Sequence, residues 1–345
     1  MSALCNGRER KKRMDKAMKK FSPFIVKELV KNTWRIEEEI SSGAFGAVYK
    51  ARDVTTRNYV AIKASKTVDT SVRTHIGWEE KVYERMKDSR HCANMISCSI
   101  DTVPHFLVLE LLGPSLNYLI KGLKGTVFSN GVAAAIIRQC LNAVKDLHNA
   151  CFIHRDIKPG NFAIGTGSNK STIYIIDFGL CRKYCHRKES PFGERINVGF
   201  CGTPRYASTR AFLKKDLCRA DDLISLFYMA YEMIVGELPW KRKLDKHGIL
   251  SMKLRISPVV MAKQLDANFQ LFAEHLMSLS YVSEPDYDMI QELLLNVMQE
   301  DNVNESTPFG WEHLLTKAEG NQDGKNDQGL LCDEANVHCA KNSLT

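Results

Sequence analysis

Over the first third of the chain apolar residues alternate with polar ones, and over most of the remainder they recur at three- and four-residue steps. Trp34 to Ile40, Ala47 to Arg52 and Tyr59 to Ala64 are rich in β-branched and apolar residues and are separated by turns containing Gly, Thr and Asn. They predict three strands of a small antiparallel sheet. From Val72 to Lys87, Ile76, Tyr83 and Met86 fall on one helical stripe. Glu79 shares that stripe, whereas Glu80 is rotated about 100° from it. Strands near Asn94 to Ile100 and His105 to Glu110 complete a first lobe. From Asn130 onward Val132, Ile136, Cys140, Val144 and Leu147 predict a buried helix that opens a helical second lobe. Short strands at Phe162 to Ile164 and Ile173 to Ile176 follow, then helices that include Asp221 to Val235, Ala267 to Met277 and Asp286 to Met298. The expected class is α+β: a mainly antiparallel β lobe with one helix, at about 34–112, and a larger helical lobe at about 113–312.

The ends differ from this middle. Residues 1–20 carry a net charge of +6 and residues 318–345 one of −3. Residues 1–33 are therefore expected to be a basic solvated arm, and 313–345, rich in Gly, Asn, Gln and Asp, a disordered tail. The strong positive field is local to the arm, and a nucleic-acid binder built on it would leave the rest of the chain unexplained. A hydrophobic content of 44% with 26% charged residues is ordinary globular composition. The richest apolar run, Phe106 to Ile120, contains Glu110 and Pro114, which argues against a membrane span. A basic tract stands where a signal peptide would need its apolar region. The eleven cysteines then read as reduced thiols, with Cys181, Cys185 and His186 lacking a second ligand pair at zinc-finger spacing. The expected location is the cytoplasm, and the basic block makes the nucleus a further one.

Five blocks carry chemistry. The first, Ser42-Gly43-Ala44-Phe45-Gly46-Ala47-Val48, joins two strands where glycines let backbone N–H groups approach phosphates; taken alone it reads better as a hairpin turn. Lys63 ends the strand Val60-Ala61-Ile62-Lys63, and Glu79, favoured over Glu80, is placed to hold it in an ion pair. The third block, His154-Arg155-Asp156-Ile157-Lys158-Pro159-Gly160-Asn161, is the most specific. Asp156 can orient a substrate hydroxyl, Lys158 can meet charge developing on a phosphoryl group, and Asn161 can offer oxygen to a metal ion. Sixteen residues beyond Asn161, Asp177-Phe178-Gly179 follows an apolar strand, where a carboxylate reaches Mg²⁺. The fifth block, Gly202-Thr203-Pro204-Arg205-Tyr206-Ala207-Ser208, closes the segment expected to form the peptide-docking surface, although any Gly-Thr-Pro is also simply a turn.

Together these blocks resemble the eukaryotic protein-kinase fold over about residues 34–312. Within it the chain is similar to the casein kinase 1 superfamily: Glu110-Leu111-Leu112-Gly113-Pro114-Ser115-Leu116 resembles its hinge, Arg205-Tyr206-Ala207-Ser208 its replacement for Ala-Pro-Glu, and Asp221-Asp222-Leu223-Ile224-Ser225-Leu226 the helix whose aspartate braces the catalytic loop. Phe162-Ala163, Leu226-Phe227-Tyr228-Met229, Leu238-Pro239-Trp240, Pro285-Asp286-Tyr287 and Trp311-Glu312 resemble the tau-tubulin kinase branch.

The resemblance implies a bilobal serine/threonine protein kinase that uses ATP and Mg²⁺. It implies catalytic roles for Asp156, Lys158, Lys63, Glu79 and Thr203, and nucleotide contacts from Ile40, Ser41, Gly43, Gly46, Val48, Ala61, Lys63, Leu109, Glu110 and Leu112. Metal ligation is implied for Asn161 and Asp177, and substrate binding for Arg205, Lys241 and Lys243. Arg182, Lys183, Arg187 and Lys188 read equally as a solvated loop or as lining a basic segment that favours acidic or phosphorylated protein substrates, with cytoskeletal proteins among the partners the branch suggests. A monomer without membrane or specific nucleic-acid partners is expected. Ser41 stands where the first glycine of the phosphate loop is expected, which adds a side chain at a tight turn. The alternative reading is a catalytically weak, pseudokinase-like interaction module, against which the intact catalytic set speaks.

Overall fold

In the computed structural model, which describes residues 22–43, 46–66, 73–186, 190–240 and 245–315, the alternating stretches form one six-stranded antiparallel sheet. Its elements are β1 (Leu29–Val30), β2 (Trp34–Ser42), β3 (Gly46–Asp53), β4 (Tyr59–Ser65), α1 (Arg73–Met86), β5 (Met95–Ser99) and β6 (Phe106–Glu110). The strand order is β1-β2-β3-β4-β6-β5. Alternation sends Ile36, Ala47, Tyr49, Ala51, Val60, Ile62 and Ala64 to one buried face. The β3–β4 turn closes on Asp53, whose Oδ1 accepts the N–H groups of Thr55 and Thr56, both at 2.8 Å. Register then pairs Ala61 with Leu109 and Lys63 with both Val48 and Leu107.

The second unit begins with a short excursion, residues 88–92, and continues from Gly113. It contains α2 (Leu116–Gly122), α3 (Asn130–Asn149), the short strands β7 (Phe152–Ile153), β8 (Phe162–Ile164), β9 (Ile173–Ile175) and β10 (Arg182–Lys183), then α4 (Thr209–Phe212), α5 (Arg219–Val235), α6 (Lys246–Arg255), α7 (Pro258–Ala262), α8 (Ala267–Ser278) and α9 (Tyr287–Glu300). Helix α3 starts at Ser129, whose Oγ accepts the Val132 N–H at 3.3 Å. It is apolar on enough sides to pack against α5, α9 and β9 at once. Strand β7 pairs with β10 and β8 with β9. These two ladders leave the segments 154–161 and 176–181 side by side, joined by the Ile176 N–H donating to Asn161 O at 2.9 Å.

Three differences from the sequence expectations have physical causes. Residues 22–33, read as part of a solvated arm, lie on the first sheet: Phe24 and Val30 are each 5% exposed, and the Phe24 ring stands edge-on to Tyr49 and Phe106. Apolar residues too sparse to show a period sufficed to seat this segment. Residues 88–92, placed in the first lobe by their position in the chain, belong to the second unit, where His91 Nδ1 bonds Ile173 O at 2.7 Å. The described chain also runs past 312, with Trp311 buried against Phe128 and Phe309 and the Leu314 side chain packed over Gly122. The arm before Ser22 and the tail after Leu315 lie outside the described residues.

Candidate active site

The segment after β7 is shaped by one buried side chain. Asp222, near the start of α5, accepts the His154 N–H at 2.7 Å through Oδ2 and the Arg155 N–H at 2.8 Å through Oδ1. His148 Nε2 donates to the same Oδ2 at 2.9 Å, and His148 Nδ1 accepts from the Tyr287 hydroxyl at 2.6 Å, which fits a neutral imidazole. Burial alone would push the Asp222 carboxyl up, but its hydrogen bond from His148 and the amide donors holds it below the ordinary carboxylate range. Arg155 takes a left-handed backbone (φ 68°) that a non-glycine residue adopts only under restraint, and its Nε is tied to Leu180 O at 2.7 Å.

This fold-back presents Asp156. Its Oδ1 accepts from Thr203 Oγ1 at 2.7 Å, and its Oδ2 faces Lys158 Nζ at 2.8 Å. Lys158 also donates to Thr203 Oγ1 at 3.1 Å, so the three side chains form a closed set. Asn161 Nδ2 donates to Asp156 O at 2.8 Å, which commits the amide nitrogen to the loop and makes the amide oxygen the atom that could hold a metal. Gly202 is required here: it has φ +100°, and a Cβ on it would stand 2.6 Å from Arg155 O. Asp177 also has a left-handed backbone (φ 66°), set by the burial of Phe178 edge-on to His154 and by the Ile176 bond to Asn161.

In the first unit Lys63 Nζ donates to Glu79 Oε2 at 2.6 Å, with Glu79 only 3% exposed. Glu80 turns instead to Cys98, whose thiol donates to it at 2.8 Å; burial and that carboxylate push Cys98 up to about 11. The β2–β3 turn brings Gly43 N–H to Gly46 O at 2.9 Å, and a Cβ on Gly46 would meet Ala64 O at 2.7 Å. Ser41 pairs with Val48 across this turn, and Ser42 Oγ accepts from Lys66. Leu109 is buried, while the Glu110 N–H donates to Asn94 O at 2.8 Å and Glu110 Oε2 accepts from the Asn94 N–H and side-chain amide at 3.2 and 3.1 Å. Ile40 and Leu112 are half-buried.

A family model described as the protein kinase domain matches residues 34–302. The chain belongs to this family. It is also 35% identical, over 290 residues covering 84% of its length, to a probable serine/threonine-protein kinase of Dictyostelium discoideum, and spans 58% of the length of that protein. The antiparallel sheet and the helical unit are accordingly the two parts of the α+β kinase fold.

The kinase's basic segment departs from the sequence reading. Arg182 does not face outward as a free cation: with Arg195 it converges on buried Asp216, at 2.5 and 3.1 Å, and the Tyr281 hydroxyl completes that set at 3.1 Å. These donors hold the Asp216 carboxyl below its ordinary value although burial opposes them. Arg205 is ion-paired with Glu232, which also accepts from the Tyr206 hydroxyl at 2.5 Å. Arg187, Lys188, Lys241 and Lys243 lie outside the described residues. Sequence reasoning missed Asp216, Glu232, Tyr287 and His148 as positioning groups. His148 had a signal, a polar residue beside the last apolar step of a buried helix, and Tyr287 stood in a motif quoted for the branch resemblance.

The His148–Asp222 pair makes a pH dependence legible. Burial keeps the folded His148 pKa below that of the unfolded chain. Its contribution to stability is thus present above about pH 6.5 and is lost as pH falls, by at most about 1.4 kcal/mol per pH unit for one proton. Asp222, also depressed, loses its contribution only below the ordinary carboxylate range. His91 has the same sign as His148, whereas Asp221, raised by burial to about 6, works oppositely. Denaturant melts from pH 7.5 to 5 are therefore expected to show a shallower loss of stability for His148→Gln than for the unsubstituted chain; equal slopes would remove His148 from the account.

Proposed function

We propose that this kinase transfers the γ-phosphoryl group of Mg·ATP to serine or threonine hydroxyls of protein substrates. The observation that carries the reading is the closed set of Asp156, Lys158 and Thr203 with Asn161 behind it. Thr203 and Lys158 fix the rotamer of Asp156, so that one carboxylate oxygen is oriented toward an incoming hydroxyl and receives its proton. Lys158 is the cation that meets charge spreading over the transferred group. Lys63, held straight by Glu79, carries its ammonium to the α- and β-phosphates, and Gly43 and Gly46 admit the backbone to the phosphates. Of the hinge residues, Leu109 and Leu112 with Ala61 would supply apolar contact to adenine.

The donor set fits magnesium. Asp177 and Asn161 offer a carboxylate and an amide oxygen, and Mg²⁺ commonly takes one or two protein oxygens with phosphates and waters completing its sphere. Among the described residues there is no group of three His, Cys, Asp or Glu side chains that would favour a dedicated transition-metal cage. Bound there, the ion would neutralise phosphate charge and align the phosphates.

The choice of serine or threonine is supported by the name of the Dictyostelium relative. The Arg205-Tyr206-Ala207-Ser208 segment and the motifs shared with the tau-tubulin kinase branch support placement in the casein kinase 1 superfamily. A monomer acting on cytoplasmic, and through the basic arm nuclear, proteins is part of the same proposal.

Labelled Mg·ATP with casein tests the reaction. Transfer to serine or threonine is expected, with Asp156→Asn lowering it about a thousandfold, within the range of general-base catalysis; absence of transfer from the unsubstituted kinase would favour the interaction-module reading. We further propose a preference for acidic or phosphorylated acceptors, one that Glu232 restrains, because a substrate anion must displace it from Arg205. Glu232→Gln is accordingly expected to raise kcat/KM for a phosphorylated peptide several-fold relative to its unphosphorylated form. An unchanged ratio would remove Arg205 from substrate recognition.

A further inference from the structure

Lys253, on α6, is 2% exposed, yet no carboxylate pairs with it among the described residues. Its Nζ donates to the carbonyl of Arg205 at 3.1 Å and to that of Ala207. It also stands over the rings of Trp240 at 4.4 Å, Tyr228 at 4.6 Å and Phe212 at 5.5 Å. Burying an ammonium without a counter-ion is costly, and an apolar side chain of the same length would fill the space more cheaply. Burial draws the group well below the usual lysine range, while ring faces and carbonyl oxygens favour its charged form.

What the cation holds is a single turn. The N–H groups of Tyr206 and Ala207 both donate to Thr203 O, at 3.0 and 2.9 Å, and Trp240 Nε1 donates to Arg205 O at 2.7 Å. Beyond the turn, Ser208 Oγ donates to Asp221 at 2.5 Å. At the near end stands Thr203, bonded to Asp156. The turn's anchors come from α5 (Asp221), from the connection between α5 and α6 (Trp240) and from α6 (Lys253), and Lys253 spans two carbonyls.

We propose that Lys253 is a positioning residue for the acceptor peptide: from inside an aromatic box it draws the Arg205–Ala207 carbonyls inward and so fixes the turn that joins the peptide-docking segment to Thr203 and Asp156. This rests on the protein kinase reading of the site. A residue that only fills the core would affect the amount of folded enzyme, hence kcat and melting temperature, and leave KM alone. A residue that sets the docking surface acts on peptide KM.

The test is Lys253→Met, which keeps length and removes charge and donors. The expected result is a rise of about tenfold in KM for a peptide acceptor, of the size that a small misplacement of docking groups produces, with KM for ATP unchanged and the melting temperature equal or higher. Hydrogen exchange at the Tyr206 and Ala207 amides should quicken in the same variant. Unchanged peptide KM, whatever happens to kcat, would overturn the proposal. Should the unsubstituted chain phosphorylate no peptide, the kinase reading fails, and exchange at these two amides decides the tether by itself: quickened supports it, unchanged refutes it. If the methionine variant does not fold, Trp240→Phe, which keeps a ring and removes the donor to Arg205 O, is expected to raise peptide KM by a smaller factor, and unchanged KM in that variant refutes the turn's role.

Discussion

A buried carboxylate, Asp222, receives two consecutive backbone N–H groups and an imidazole, and the rest of the candidate site hangs from that arrangement. The chain needs such a restraint because Arg155 is left-handed, a conformation that costs a non-glycine residue about 1–3 kcal/mol. Hydrogen bonds to a charged acceptor contribute about 1.5–3 kcal/mol each. Two of them on adjacent amides therefore outweigh the strain, and the loop is held with Asp156 against Thr203 and Lys158. From Asp156 the order passes to Thr203 and the docking turn in one direction. Through Asn161 and the Ile176 amide it passes to Asp177 in the other.

Within the first unit a comparable economy applies to Glu79. It is almost wholly enclosed, while Lys63 keeps a fifth of its side chain exposed, and a carboxylate so enclosed is costly to hold without opposing charge. The ion pair thus fixes the rotation of α1 about its axis, and Glu80, one step round the helix, is left for Cys98.

The fold was legible where periodicity was strong. Strands β2, β3 and β4 follow from alternation, and α3 from a long apolar recurrence; the phase of α1 was enough to choose Glu79 over Glu80 as the partner of Lys63. Short elements were not legible: α2, α4, α6 and α7 have too few turns to establish a period, and the seating of Phe24 depends on a groove that only the assembled sheet provides. The charged residues were legible as charges and not as partnerships. Arg182 and Arg205 read as free cations because Asp216 and Glu232 lie tens of residues away along the chain, and pairing at that separation is set by tertiary packing. Lys253 carried no signal at all, since a lysine in a short helix without an apolar face is ordinarily solvated.

Whether Asp222 holds the loop carrying Asp156 is decided by the substitution Asp222→Asn. Either orientation of the amide sets an NH₂ group against donors: His154 N–H on one side or Arg155 N–H on the other. Transfer from labelled Mg·ATP, measured alongside hydrogen exchange at the His154 and Arg155 amides, is expected to fall at least about a hundredfold as those amides lose protection. Full activity with unchanged protection would contradict the account.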